Sequence, residues 1–137
     1  MAAFVVDASA ALPWCFADEA TDWTKAILIR VRSGDQIVVP AHWTMEVANA
    51  LLFAVRRKRI PKQEAIEFLG DLTVLPIEVD PTPDLARASN ILSVAEKHRL
   101  TAYDATYLEL AMRRKLALAT LDADLKTAAL AESLVLL

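Results

Sequence analysis

Apolar positions along the chain follow two periods. Residues 3–6 (Ala-Phe-Val-Val), 36–39 (Gln-Ile-Val-Val), 74–79 (Val-Leu-Pro-Ile-Glu-Val), 116–121 (Leu-Ala-Leu-Ala-Thr-Leu) and 133–136 are short, nearly continuous apolar runs. Their length and composition suit strands buried on both faces. Between them the period becomes helical. Trp43, Val47, Leu51, Leu52 and Val55 form one stripe over 43–57, and Ala65, Ile66, Leu69 and Leu72 form another over 62–72. Leu85, Ala88, Ile91, Leu92 and Ala95 do so over 84–99, and Tyr107, Leu108, Ala111 and Met112 over 103–114. Shorter helices fit 9–16, 20–32 and 123–131. Gly34 and Gly70 fall near expected helix ends, where a left-handed residue stops a helix.

Strands alternating with helices predict a three-layer α/β/α domain with a five-stranded, mainly parallel sheet, a single domain over residues 1–137. In such sheets ligands bind beyond the carboxyl ends of the strands.

Composition refines this picture. Hydrophobic residues make up 55% of the 137, and mean hydropathy is +0.33, high for a domain of this size. The excess implies a sheet covered on both faces, together with an apolar surface kept for a partner. Net charge is −3, so no global basic field draws nucleic acid, and any contact with it must be local. Cys15 is the sole cysteine, which excludes an intramolecular disulfide and agrees with a reducing compartment. Between Leu12, Trp14 and Phe16 it reads as a small buried hydrophobe rather than a nucleophile. No secretory leader pattern opens the chain, and no apolar run approaches the ~18–20 residues of a membrane span. The expectation is a soluble, cytoplasmic protein with no membrane contact.

The acidic residues acquire meaning from the strand order. Asp7 directly follows strand 1, and Asp122 follows strand 4, with Asp124 two residues further on. Glu46 and Asp104 lie in the first turns of helices whose N-termini lie at the same sheet edge. Carboxylates gathered there repel, by about 4 kcal/mol for a pair ~4 Å apart at an effective dielectric of ~20. A cation relieves that repulsion, and oxygen-only ligands select Mg²⁺ or Mn²⁺. His42 and His98 are too far apart in sequence, and without cysteine partners, to suggest zinc. Such a metal activates water for hydrolysis of a phosphodiester. Each acid also has a simpler role open to it. Asp122 could cap the last helix, Thr101-Ala-Tyr-Asp104 resembles a capping box, and Glu46 suits the positive end of its helix. Asp7 has no capping duty that Ser9 could not perform.

Val-Val-Asp7-Ala-Ser9, Glu46-Val-Ala-Asn49-Ala-Leu51, Tyr103-Asp104-Ala-Thr-Tyr107-Leu-Glu-Leu-Ala111 and Thr120-Leu-Asp122-Ala-Asp124-Leu125 occur in that order. Together they resemble the PIN-domain ribonucleases, and among them the VapC toxins of type II toxin–antitoxin systems. The resemblance spans essentially the whole chain. It implies a metal-dependent endoribonuclease with Asp7, Glu46, Asp104 and Asp122 as the catalytic, Mg²⁺- or Mn²⁺-holding quartet. It makes Ser9, Asn49 and Thr120 polar supports, and Asp124 an auxiliary acid. The partners it implies are an RNA substrate, a VapB-like antitoxin and a second copy of the chain, as a homodimer or in a hetero-oligomer with the antitoxin. Trp14, Phe16, Trp23, Leu51, Leu52 and Phe53 are candidate lining for the antitoxin, or ordinary core.

Three rivals remain. A haloacid-dehalogenase-type phosphatase needs an acid two residues after Asp7, where Ser9 stands. A receiver domain could use Asp80 as phospho-acceptor, but lacks an acidic pair near strand 1 and a lysine after strand 5. A non-catalytic PIN-like signalling or binding domain is the third. Arg56-Arg57-Lys58-Arg59 with Lys62, and Arg113-Arg114-Lys115, are candidate RNA contacts, although cations at helix C-termini also complement the macrodipole. Arg87, Lys97 and Arg99 carry no pattern.

Overall fold

The computed structural model describes residues 2–137. Strand β1 (Ala3–Val6) leads into α1 (Ala8–Ala11), two 3-10 turns (Leu12–Trp14 and Ala17–Glu19) and α2 (Asp22–Arg32). Then come β2 (Gln36–Val39), α3 (Trp43–Arg56), α4 (Lys62–Leu72), β3 (Ile77–Val79) and α5 (Leu85–His98). The chain continues through α6 (Ala102–Arg114), β4 (Ala117–Ala119) and α7 (Ala123–Ala131).

The sheet order is β3-β2-β1-β4, and every pairing is parallel. Val5 is in register with Val38 on one side and Leu118 on the other, so β1 is central. Phe4, Val5 and Val6 are at most 1% exposed, and Ile37, Val38 and Val39 are fully buried. Side chains alternate faces along a strand, so burial of consecutive residues means that helices cover both sides.

The expected five-stranded sheet has four strands. After α7 a left-handed turn at Ser133 (φ 60°) brings only Leu136 into register with Leu118. Leu118 N–H donates to the Val135 carbonyl and Leu137 N–H to the Leu118 carbonyl, and the ladder goes no further. Two other strands are shorter than their apolar runs. β3 starts after Pro76, which has no N–H for the ladder, although its carbonyl accepts from Ile37 at 2.9 Å. β4 stops at Ala119 because the next backbone N–H groups turn into the site described below.

The helices follow the expected spans to within a few residues, except α1. It ends at Ala11 because Pro13 cannot donate to the carbonyl four residues back, and the chain tightens into a 3-10 turn. Gly34 does close α2, with φ 115°. Gly70 instead lies inside α4. The left-handed positions after α5 and α6 are occupied by Arg99 (φ 54°) and Lys115 (φ 55°). The apolar stripe of α5 is also split. Ile91 and Ala95 are buried, whereas Leu92 and Leu85 are exposed. Among the described residues, no helix is long and apolar enough to cross a membrane.

Candidate functional site

Asp7 stands where β1 ends. Its N–H donates to the Ala119 carbonyl of β4 at 2.9 Å, which fixes the backbone between the two strands. Asp7 precedes α1, yet its side chain caps nothing. Instead Asp7 Oδ2 accepts from Ser9 Oγ and from Thr120 Oγ1, both at 2.7 Å. Each hydroxyl is itself anchored. Ser9 Oγ accepts from Leu121 N–H, and Thr120 Oγ1 from Asp122 N–H, both at 3.0 Å. These bonds are why β4 ends where it does. Oδ2 is thus held, while Oδ1 makes no hydrogen bond. The Asp7 side chain is almost wholly buried. Burial pushes its carboxyl above the usual range against the two hydroxyl bonds, and the charges of Glu46 and Asp104 add to the rise.

Asp104 lies in the first turn of α6. Thr101 Oγ1 caps the helix by accepting from Asp104 N–H at 3.1 Å, but the reciprocal half of a capping box is missing. The Asp104 carboxylate therefore remains available. Burial, then the charges of Asp122 and Glu46, hold it above the usual range. Asp122 does cap α7, with Oδ1 accepting from Leu125 N–H at 2.8 Å. Cap and ligand are compatible roles here, because Oδ2 is not engaged by the cap.

Glu46 is the exception among the four. The Tyr107 hydroxyl donates to Glu46 Oε1 at 2.6 Å, and His42 Nε2 lies 3.1 Å from the same oxygen without a well-aligned hydrogen bond. Burial works to raise the Glu46 carboxyl, but His42 and Tyr107 outweigh it and hold it below the usual range. Tyr107 is fully buried. Its phenol is pushed far above its ordinary value by burial and by the glutamate it serves, so it stays a donor.

The structure thus brings Asp7, Glu46, Asp104 and Asp122 into electrostatic contact at the carboxyl edge of the sheet. Ser9 and Thr120 join Asp7 directly. Asn49 and Asp124 are exposed, and neither bonds any of the four acids. Among the described residues, no three acidic, imidazole or thiol side chains close tightly enough to share an ion as they stand. The donor chemistry nevertheless fits a hard divalent cation: oxygen-only, partly buried, with Asp7 and Asp104 each held above the usual range partly by neighbouring charge.

A second charged cluster was not legible in the sequence. Asp80, after β3, is 7% exposed at its side chain. Its Oδ2 accepts from Arg87 Nη2 at 3.0 Å and from Arg113 Nη2 at 2.6 Å. Glu109, also buried, accepts from Arg87 at 3.1 Å and from Arg113 Nε at 2.8 Å. Arg114 pairs with Glu78. Two expectations change as a result. Arg113 and Arg114 tie α6 to the β3 side of the sheet rather than standing free for RNA, and the seemingly patternless Arg87 is central to the cluster. Asp80, enclosed by two guanidiniums, is also a poor phospho-acceptor, which removes the main support for a receiver domain. The one local signal was Glu109, a charge inside the run Tyr107-Leu108-Glu109-Leu110-Ala111 and one helical turn from Arg113. In the other basic run, Arg59 is bound to Asp18 and Glu19 and lies 4.3 Å over the Phe16 ring. Arg56, Arg57 and Lys58 are exposed. Burial pushes the Cys15 thiol up, in keeping with an inert residue.

A four-stranded parallel sheet with acids from β1, α3, α6 and the β4–α7 turn at one edge is the arrangement of a PIN domain. The family model for the PIN domain matches residues 4–130, and the chain belongs to that family. Among solved structures it is similar to PAE2754 from Pyrobaculum aerophilum, at 20% identity over 93% of this chain and 84% of that one, with a TM-score of 0.66. It is also similar to VapBC2 from Rickettsia felis, determined bound to a DNA fragment from their promoter, at 13% identity over 98% and 97%, with a TM-score of 0.65. A third is VapC20 of Mycobacterium tuberculosis, described as a Sarcin-Ricin loop cleaving toxin, at 14% identity over 91% and 94%, with a TM-score of 0.59. At these identities the likeness is one of fold. No curated protein matches in sequence.

Proposed function

We propose that the chain is a metal-dependent endoribonuclease and the toxin of a toxin–antitoxin pair, working in the cytoplasm as a single domain. The observation that carries this reading is Asp7: a buried carboxylate with no capping role, one oxygen fixed by two anchored hydroxyls and the other unbonded, within the field of Glu46 and Asp104. Such an acid lowers stability unless a cation uses it.

Asp7, Asp104 and Asp122 would hold Mg²⁺ or Mn²⁺, with Glu46 completing the site. When bound, the ion supplies charge to the phosphodiester and lowers the pKa of the attacking water. Ser9 and Thr120 keep Asp7 Oδ1 aimed at the site. Tyr107 pins Glu46 Oε1 and leaves Oε2 to orient the water for in-line attack. By likeness to PIN ribonucleases, the products carry a 5′-phosphate and a 3′-hydroxyl. Asn49 and Asp124, both exposed, would act only once substrate is bound.

The partners that follow are RNA, a VapB-like antitoxin and a second copy of the chain. The VapBC2 neighbour joins VapB and VapC in its name, which favours a VapB-like partner here. Leu52 and Phe53, 43% and 44% exposed on α3, remain candidate antitoxin contacts, whereas Phe16 and Leu51 belong to the core. The decisive experiment is cleavage of structured RNA by purified protein with Mg²⁺, Mn²⁺ or EDTA, comparing wild type with Asp7→Asn and Asp104→Asn. Cleavage is expected only with metal and only in the wild type. Activity that survives EDTA, or both substitutions, would sink the nuclease reading. Copurification with a short co-encoded chain would support the toxin assignment.

A further inference from the structure

A nuclease whose active face is acidic must hold RNA by something other than that face's charge. Beside the acids lies an open cavity of about 640 Å³, within the roughly 300–1,000 Å³ typical of small-molecule sites. His42, Pro83, Ile91, Leu92, Tyr103 and Thr106 line it, and no lysine or arginine does. It is continuous with the candidate active site at two points. His42 lies 3.1 Å from Glu46, and Tyr103 immediately precedes Asp104. The Tyr103 ring, 68% exposed, meets the His42 ring edge-on, with centroids 5.4 Å apart and planes at 64°. An aromatic ring exposed in this way costs solvation and makes no contact in the core. It does offer a flat face at the rim of the acid site.

We infer that this cavity is a subsite for one unstacked nucleobase next to the scissile phosphate, with Tyr103 as its stacking platform, Ile91 as its apolar floor and Leu92 at its rim. The inference rests on the ribonuclease reading above. Unpaired bases in RNA are captured by stacking on aromatic rings, and stacking needs no basic residue. The Thr106 hydroxyl donates to the Ala102 carbonyl at 2.7 Å and keeps its acceptor capacity for a base edge.

The test uses a short single-stranded oligoribonucleotide carrying 2-aminopurine, with EDTA present so that no strand is cut. Stacking on Tyr103 should quench the fluorophore. Tyr103→Ala should weaken binding by about 5- to 100-fold, and Tyr103→Phe should restore it. The ratio should be the same at low and high salt, since no phosphate contact is lost. Leu92→Asn, which removes apolar contact without adding charge, should weaken binding in the same way. In cleavage assays with Mg²⁺, the Tyr103→Ala effect should fall on KM far more than on kcat. Both side chains are exposed, so neither variant threatens the fold. Quenching and KM equal to wild type in both variants would overturn the subsite. So would a variant that splits an oligomer while RNA binding is unaltered, since the cavity would then be a self-interface. A wild type that quenches yet never cleaves would refute the nuclease reading and support the subsite.

Discussion

The Asp80–Glu109 cluster allows a quantitative test of how the edge of the sheet is held. Arg87 and Arg113 each bond both carboxylates. Removing Asp80 alone therefore leaves each guanidinium one partner, and removing Glu109 alone does the same. Breaking a buried pair costs about 3–5 kcal/mol. Arg87 and Arg113 are 22% and 35% exposed, and one carboxylate remains, so the lower end applies: about 3 kcal/mol for Asp80→Ala. For a domain of this size that is a fall in Tm of about 10 °C. It is small enough to leave a folded protein if total stability is about 5–15 kcal/mol. The double variant differs in kind, because both arginines then lose every buried carboxylate. Its loss should exceed the sum of the single losses by about 1–3 kcal/mol. Urea unfolding of the four proteins, followed by circular dichroism, measures the cycle. A loss below about 1 kcal/mol for Asp80→Ala, or additivity within ~0.5 kcal/mol, would show that the cluster does not act as a unit.

Three further outcomes are expected. Because Asp7 has a raised pKa in the fold, its ionisation costs stability, with no cost below the unfolded value and the full cost above the folded one. Asp7→Asn should therefore raise Tm in EDTA at neutral pH, raise it less near pH 4, and abolish cleavage; an unchanged Tm at neutral pH would contradict the account of Asp7. Glu46 has the opposite shift, so its contribution is present above the unfolded value of about 4.3 and is lost as pH falls through the depressed folded value. Tyr107→Phe should cost about 1.5–3 kcal/mol near neutrality, and urea melts across pH should show that deficit shrinking in acid. Lys115 holds a left-handed conformation that costs a side-chain-bearing residue about 1 kcal/mol, so Lys115→Gly should leave stability level or raise it, and a clear loss in urea melts would show that its side chain has a role of its own.

Much of the fold could be read because burial on both faces leaves a plain signature. β1 and β2 occupy the apolar runs exactly as they stand in the sequence, and α4 and α7 match their stripes. The acids could be placed because the strand order fixes which edge collects them, and Ser9 and Thr120 emerge as direct partners of Asp7. What could not be read depended on contacts distant in sequence. The last apolar run looks like a strand, but the turn at Ser133 admits a single bridged pair. Gly70 looks like a stop because glycine is permissive, yet α4 tolerates it with nothing within 4 Å of an added Cβ. Arg113 and Arg114 look like solvated cations because, Glu109 apart, their acids lie 33 and 36 residues earlier. The place of His42 beside Glu46 was legible, since the cap of α3 and a residue four positions on share one face of the helix.

The central position of β1 also fixes an order of events during synthesis. Asp7 is made well before the strand on one side of it and one of the two hydroxyls that hold its carboxylate, which come from residues 117–120, 113 positions away for Thr120. Long-range parallel pairing of this kind forms late in folding. Until then β1 can pair with β2 alone, its other edge stays open, and the acid site is not assembled. The oxygen of Asp7 that Ser9 and Thr120 hold is therefore fixed only after β4 and the turn that follows it have been made and have paired with β1.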